Sequence, residues 1–229
     1  MGPADTELRR RVWRSNAGFL IALWFALFVP AWTLDYWQAW AYWLAFAVLQ
    51  IAGTVYLLRR DPKLIERRLS AGPAAEQEAT QKTIMTIASV CFALTFIVPG
   101  LDRHFGWSHV PAWLALLAGV GVLLGYAFIF VVVRENSYAA STIRVEDQQP
   151  VISTGPYALV RHPMYSGALL MSGLTPLALG SYWGLLLVFP LAGILAWRLL
   201  DEERYLTRNL PGYDAYCRVT RYRLVPGLW

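Results

Sequence analysis

Charge is scarce in this chain. Only 15% of its 229 residues are Asp, Glu, Lys or Arg, where a soluble domain has about 25%, while 57% are apolar and the mean hydropathy is +0.40. Lipid rather than water must therefore solvate much of the surface, which excludes an ordinary soluble domain. Cysteine is scarcer still. Cys91 lies in an apolar run and Cys217 in a polar stretch, a pair that fits neither a disulfide framework nor a metal-ligand spacing, so both read as free thiols and no metal is called for. No small-residue cleavage site follows the first apolar run, which therefore reads as an uncleaved span, and there is no lipidation motif, internal repeat or low-complexity tract.

What is present is apolar length. Runs able to span a bilayer occur at 17–34, 37–58, 84–101 and 110–133, and a fifth and sixth, 164–179 and 182–200, are separated only by Gly180-Ser181. The sequence thus predicts an all-α integral membrane protein of about six transmembrane helices, the last two a helical hairpin, with the N-terminal helices over 1–133 and a functional region over 134–229. The fifth run is short, so five spans plus a re-entrant pair is the competing topology.

The basic residues test the count. With six spans, 19 of the 20 fall on one side and only Arg103 on the other. By the positive-inside rule that side is cytoplasmic, which predicts a multi-pass protein with both termini, every long polar segment and any active site facing the cytoplasm. The net charge of +5 then meets membrane lipids, and nucleic acid is not an expected partner. The charged stretch 59–69, with Leu64, Ile65 and Leu69 among its basic residues, predicts an amphipathic helix on the membrane surface.

Two places could carry chemistry. The first is TGPYALVRHPMYSG at 154–167, where Pro156 and Pro163 force extended backbone before them and a helix starts at Pro163. A helix start offers free N–H groups and positive dipole to a carboxylate or phosphate, while Tyr157, His162 and Tyr165 add a titratable ring and two cation-binding faces. An interfacial belt of Arg, His and Tyr is the plainer alternative. The second is Arg198 to Glu203. Arg198 and Glu202 stand four apart on one helix face, and ionisable groups at that depth need a partner, water or a ligand. An intrahelical Arg198–Glu202 pair with solvated Asp201 and Glu203 is the alternative there. Gln149, Pro150, Val151 and Ile152 form a short β-prone strip able to lie beside a flat ligand, Asn136 reads as a helix cap, and Tyr213 and Tyr216 share a helix face after Pro211-Gly212.

This ordered set (GPY, RHPMY, an apolar hairpin, Arg-x-x-x-Glu-Glu-x-x-Leu and Gly-Tyr-x-x-Tyr) resembles the isoprenylcysteine carboxyl methyltransferase family, part of a wider group of integral-membrane methyltransferases that includes phospholipid N-methyltransferases. The resemblance covers roughly 136–226. It implies a cytoplasm-facing site for S-adenosylmethionine (SAM), closed over by the C-terminal segment and reached from the bilayer by a lipophilic small molecule or prenylated acceptor. By the same resemblance Gln149, Pro150, Val151 and Ile152 contact the cofactor, Tyr157 forms an aromatic wall, His162, Pro163, Met164 and Tyr165 are the cofactor-binding His-Pro-x-Tyr, Glu202 is the acid that binds the cofactor, and Arg198 is the catalytic arginine turned toward the acceptor. The chain lacks the extra spans of the family's eukaryotic members, so the prenyl-binding surface is not carried over. A similar C-terminal pattern occurs in the larger sterol reductases, which use NADPH. A transporter or scaffold is the reading from another class, but its ionisable groups would lie nearer mid-bilayer.

Overall fold

A computed structural model describes residues 3–69, 72–76, 78–138, 145 and 149–229. Arg144, one of the basic residues counted above, lies outside them. The described residues form eight α-helices and no strand: α1 (Pro3–Ala31), α2 (Trp37–Arg60), α3 (Pro62–Leu69), α4 (Ala79–Phe105), α5 (Ala112–Glu135), α6 (Pro163–Ala178), α7 (Val188–Asn209) and α8 (Tyr213–Val219).

The helices outrun the apolar stretches that announce them, mostly on the basic side. Helix α1 starts well before residue 17, where Arg9–Asp5 and Arg10–Glu7 pair one turn apart at 3.4 and 2.9 Å. Helix α7 continues past Leu200 to Asn209. The breaks have local causes. Pro62 ends α2 and opens α3, which Asp61 caps by accepting from Leu64 N at 3.0 Å. Gly106 and Gly180, at φ +67° and +80°, close α4 and turn the hairpin after α6. The surface helix foreseen at 59–69 is the short α3. Its Leu64 and Ile65 are buried, and Ile65 packs with Val12 and Leu58, so α3 is fastened to α1 and α2.

Among the described residues, five helices are long and apolar enough to cross a membrane: those within 5–31, 37–60, 79–105, 112–135 and 183–209. The fifth expected span, α6, has only 16 residues and so a length of about 24 Å, short of the roughly 30 Å of bilayer hydrocarbon. It is nonetheless tied at the hairpin end of the bundle. Tyr36 donates its hydroxyl to Leu179 O, Ser181 donates to the buried Asp102, and Tyr182 N donates to Ser108 Oγ at 3.1 Å. Along its length α6 presses against α5 through glycine. A Cβ on Gly125 would come within 2.7 Å of Met171, and one on Gly167 within 2.6 Å of Ile129.

The core gathers Leu27, Phe28, Tyr36, Phe96, Val122 and Leu179 toward the hairpin end. A polar brace crosses the middle: Tyr126 donates to Gln50, Gln50 to Asn16 and Asn16 to Thr54, at 2.9, 2.9 and 2.8 Å. Elsewhere large side chains such as Phe25, Val48, Leu124 and Phe189 point outward, as lipid contact permits. At the opposite end the α6 start, the second half of α7 and α8 surround a hollow.

Candidate active site

A cavity of about 540 Å³ opens there, within the range of small-molecule sites. Every site residue singled out in the sequence borders it: Gln149, Pro150, Val151, Ile152, Tyr157, His162, Pro163, Met164, Tyr165, Arg198 and Glu202. The structure therefore brings together segments that are separate in the chain.

Each wall has a local origin. Helix α5 ends at Asn136, which caps it as expected. The Asn136 amide also donates to the Tyr157 hydroxyl at 3.2 Å, and its carbonyl accepts from Tyr138 N at 2.9 Å. Residues 149–152 run without helix or strand along the cavity. The approach to Pro163 is not extended throughout, because a single 3-10 turn forms over Gly155–Ala158 with Gly155 at φ +56°. Helix α6 begins at Pro163 as predicted. His162 O accepts from Tyr165 N and Ser166 N at 3.1 and 3.2 Å, and Pro163 has no N–H, so Met164 N–H is what the first turn leaves for a ligand. Burial pushes the Tyr157 hydroxyl up to about 12, so this wall keeps its proton.

The two acid–base clusters differ from the plain sequence alternative. Asp201, Glu202 and Glu203 lie inside α7 rather than at its end, and each has its own partner. Asp201 accepts from Gln81 of α4, and Glu202 Oε2 accepts the Tyr165 hydroxyl at 2.6 Å. Glu203 is buried, not solvated. Its Oε1 lies 2.8 Å from Arg161 Nη1 and 3.3 Å from His162 Nε2, and its Oε2 lies 2.9 Å from Arg223 Nε. Arg198 likewise departs from the intrahelical pair. It donates from Nε to the Tyr165 hydroxyl at 3.0 Å, from Nη1 to Gln81 at 2.8 Å and from Nη2 to Glu76 at 2.8 Å.

The C-terminal segment closes the hollow. Arg161 N and His162 N donate to the carbonyls of Tyr222 and Arg223 at 2.9 and 3.0 Å, and Ser166 Oγ donates to Leu224 O at 2.6 Å. Tyr213 and Tyr216 of α8 are buried with Leu210, line the cavity, and hold the 3-10 turn through a 2.7 Å bond from the Tyr216 hydroxyl to Tyr157 O. Among the described residues, two cavity-lining groups keep a buried polar atom with no partner, Arg161 Nε and the Tyr213 hydroxyl. Unsatisfied buried groups are uncommon, and two beside one hollow suit a site whose ligand supplies the missing bonds.

Toward the bundle the lining turns apolar. Met85, Ala88, Ser89 and Phe92 share one face of α4 and meet Met171 of α6 and Leu191 and Leu195 of α7. Ser89 and Phe92 are exposed as well as cavity-lining, and they lie on α4, one of the helices long and apolar enough to cross a membrane. Sequence reasoning missed this arm, as well as Glu76, Gln81 and the Arg161–Glu203–Arg223 cluster. The i, i+3, i+4, i+7 spacing of the α4 residues was legible, but it cannot separate a cavity wall from a lipid face. No local pattern marked Glu76.

Residues 113–211 match the family model for phospholipid methyltransferase, a family of membrane methyltransferases of the kind indicated by the motifs between Gly155 and Tyr216. The match starts at the head of α5 and ends in the turn before α8, so it contains α5, α6, α7 and most of the cavity's polar wall. A search of curated proteins finds no match.

Proposed function

We propose that this chain, whose residues 113–211 match the family model for phospholipid methyltransferase, is a SAM-dependent methyltransferase acting on a lipophilic acceptor that enters from the bilayer. One observation carries the reading: a single cavity joins a polar wall suited to the donor with an apolar arm lined by helices of membrane-spanning length.

The polar wall fits the donor's chemistry. SAM supplies an electrophilic methyl on a cationic sulfur, flanked by an ammonium and a carboxylate. Glu202, fixed by Tyr165, offers a carboxylate to the ammonium; Tyr157 and Tyr165 offer ring faces to the sulfonium; Met164 N–H and the dipole of α6 suit the carboxylate. The unpartnered Tyr213 hydroxyl and Arg161 Nε are further donors within the same wall. The 149–152 strip gives a flat flank for a purine.

Methyl transfer is an in-line displacement, so the protein's work is to align two reactants and exclude water. The α8 cap and the strap of 220–225 over residues 160–166 exclude water from the polar side. The apolar arm between α4, α6 and α7 holds the acceptor, and Arg198, which borders the same cavity, is the cation that meets its reactive end. Incubation with methyl-labelled SAM and a membrane-lipid extract tests the proposal. A labelled lipid product is expected; label remaining wholly in the donor, with every lipid fraction unlabelled, would count against it.

A further inference from the structure

One buried carboxylate lies outside the cavity and yet reaches into its chemistry. Glu76, in the short connection before α4, is 4% exposed and places Oε1 2.8 Å from Arg198 Nη2. Burying a carboxylate and a guanidinium together costs several kcal/mol of desolvation, so such a pair is weak evidence of a device for stability alone. Gln81, 2% exposed, holds the next nitrogen of the same guanidinium. On its other edge Arg198 Nε donates to the Tyr165 hydroxyl, which donates in turn to Glu202. Arg198 and Glu202 have the four-residue spacing at which such side chains ordinarily pair, but here the phenol stands between them.

We infer that Glu76 is a positioning residue for the donor site: by drawing the Arg198 guanidinium toward α4, it keeps that cation off Glu202 and leaves the Glu202 carboxylate for the donor's ammonium. The inference rests on reading the cavity as a SAM site. Its physical basis is competition. The guanidinium cannot shed its charge. Without the charge of Glu76, Arg198 has Glu202 one turn away as an alternative counter-ion, and a carboxylate already paired has less to offer a second cation.

Calorimetric titration of SAM into detergent-purified protein tests this in four forms: wild type, Glu76→Gln, Arg198→Gln and the double variant, each with its melting temperature. Glu76→Gln should weaken SAM binding about tenfold. The double variant should bind SAM within about threefold of Arg198→Gln and more tightly than Glu76→Gln, because the guanidinium that would pair with Glu202 is gone. A purely structural Glu76 would lower the melting temperature while leaving the affinity of the folded protein unchanged, or would give a double variant that binds no better than Glu76→Gln; either result overturns the inference. If Glu76→Gln does not fold, the double variant, in which two neutral amides replace the buried pair, decides it: a loss of tenfold or more against Arg198→Gln overturns the inference, and affinity equal to that of Arg198→Gln supports it. Wild-type protein that fails to bind SAM overturns the functional reading itself, whereas wild type that binds and Glu76→Gln that binds equally well overturn only the role of Glu76.

Discussion

Glu203 shows how much a single residue can organise. One carboxylate faces Arg161 and His162 from the approach to α6 and Arg223 from the C-terminal strap, so it joins the cavity floor to its cover. Replacing it with Gln removes the charge that compensates two guanidiniums, and breaking such a pair from one side costs about 3–5 kcal/mol. Glu203→Gln should therefore loosen the strap, and trypsin should cut at the exposed Arg218 and Arg221 faster than in wild type. Equal cleavage rates would show that the strap is held by its backbone bonds alone. Residue types and spacing disclosed His162, Tyr165, Arg198 and Glu202 as candidates because prolines and intramembrane charge are rare and informative. They did not disclose which acid paired with which base. Glu203 follows Glu202 directly, so only the rotation of α7 against α6 decides that one faces Tyr165 and the other Arg161.

Element by element, the site depends on how closely α5 and α6 approach. Gly167 sits two residues after Tyr165, and any Cβ there would collide with Ile129 at 2.6 Å and press on Phe128 at 3.1 Å. Gly167→Val should force α6 away from α5, destabilise the fold by about 1–3 kcal/mol and misplace Tyr165. A lower melting temperature together with weaker SAM binding is the expected outcome, and an unchanged melting temperature would contradict the packing described. The cap responds to alkali instead. Burial raises the hydroxyls of Tyr157, Tyr213 and Tyr216 above their ordinary value, Tyr157 to about 12. Below a pH of about 10 these phenols are protonated in both folded and unfolded chains, and their contribution to stability is intact. As the pH rises from there through the folded values, the unfolded chain gives up protons that the fold retains, and that contribution is lost. An absorbance titration of the twelve tyrosines should show a late-titrating group that appears as the cap comes away. All twelve ionising together near the ordinary value would refute this.

For the molecule as a whole, hydropathy revealed the helices, the hairpin turn at Gly180 and the helix start at Pro163, because each has a local cause in apolar length, glycine or proline. Hydropathy offers six candidate crossings; among the described residues five helices have the length and apolar content to span, while the α6 stretch is only 16 residues long. The cavity draws on residues from both sides of residue 133. Glu76 and Gln81, together with Met85, Ala88, Ser89 and Phe92, belong to the N-terminal part and complete the site built by the C-terminal part. Contacts of this range, more than a hundred residues apart in the chain, leave no periodic trace in sequence. The central claim is that the ends of α6 and α7 with the α8 cap form one pocket for SAM. It is tested most directly by calorimetric titration of SAM into wild-type, His162→Ala and Glu202→Gln proteins of matched folding. Saturable binding to wild type and a loss of about tenfold or more in each variant, the weight of a charge-assisted hydrogen bond, are expected. Saturable binding of equal strength in all three, or none in wild type, would contradict it.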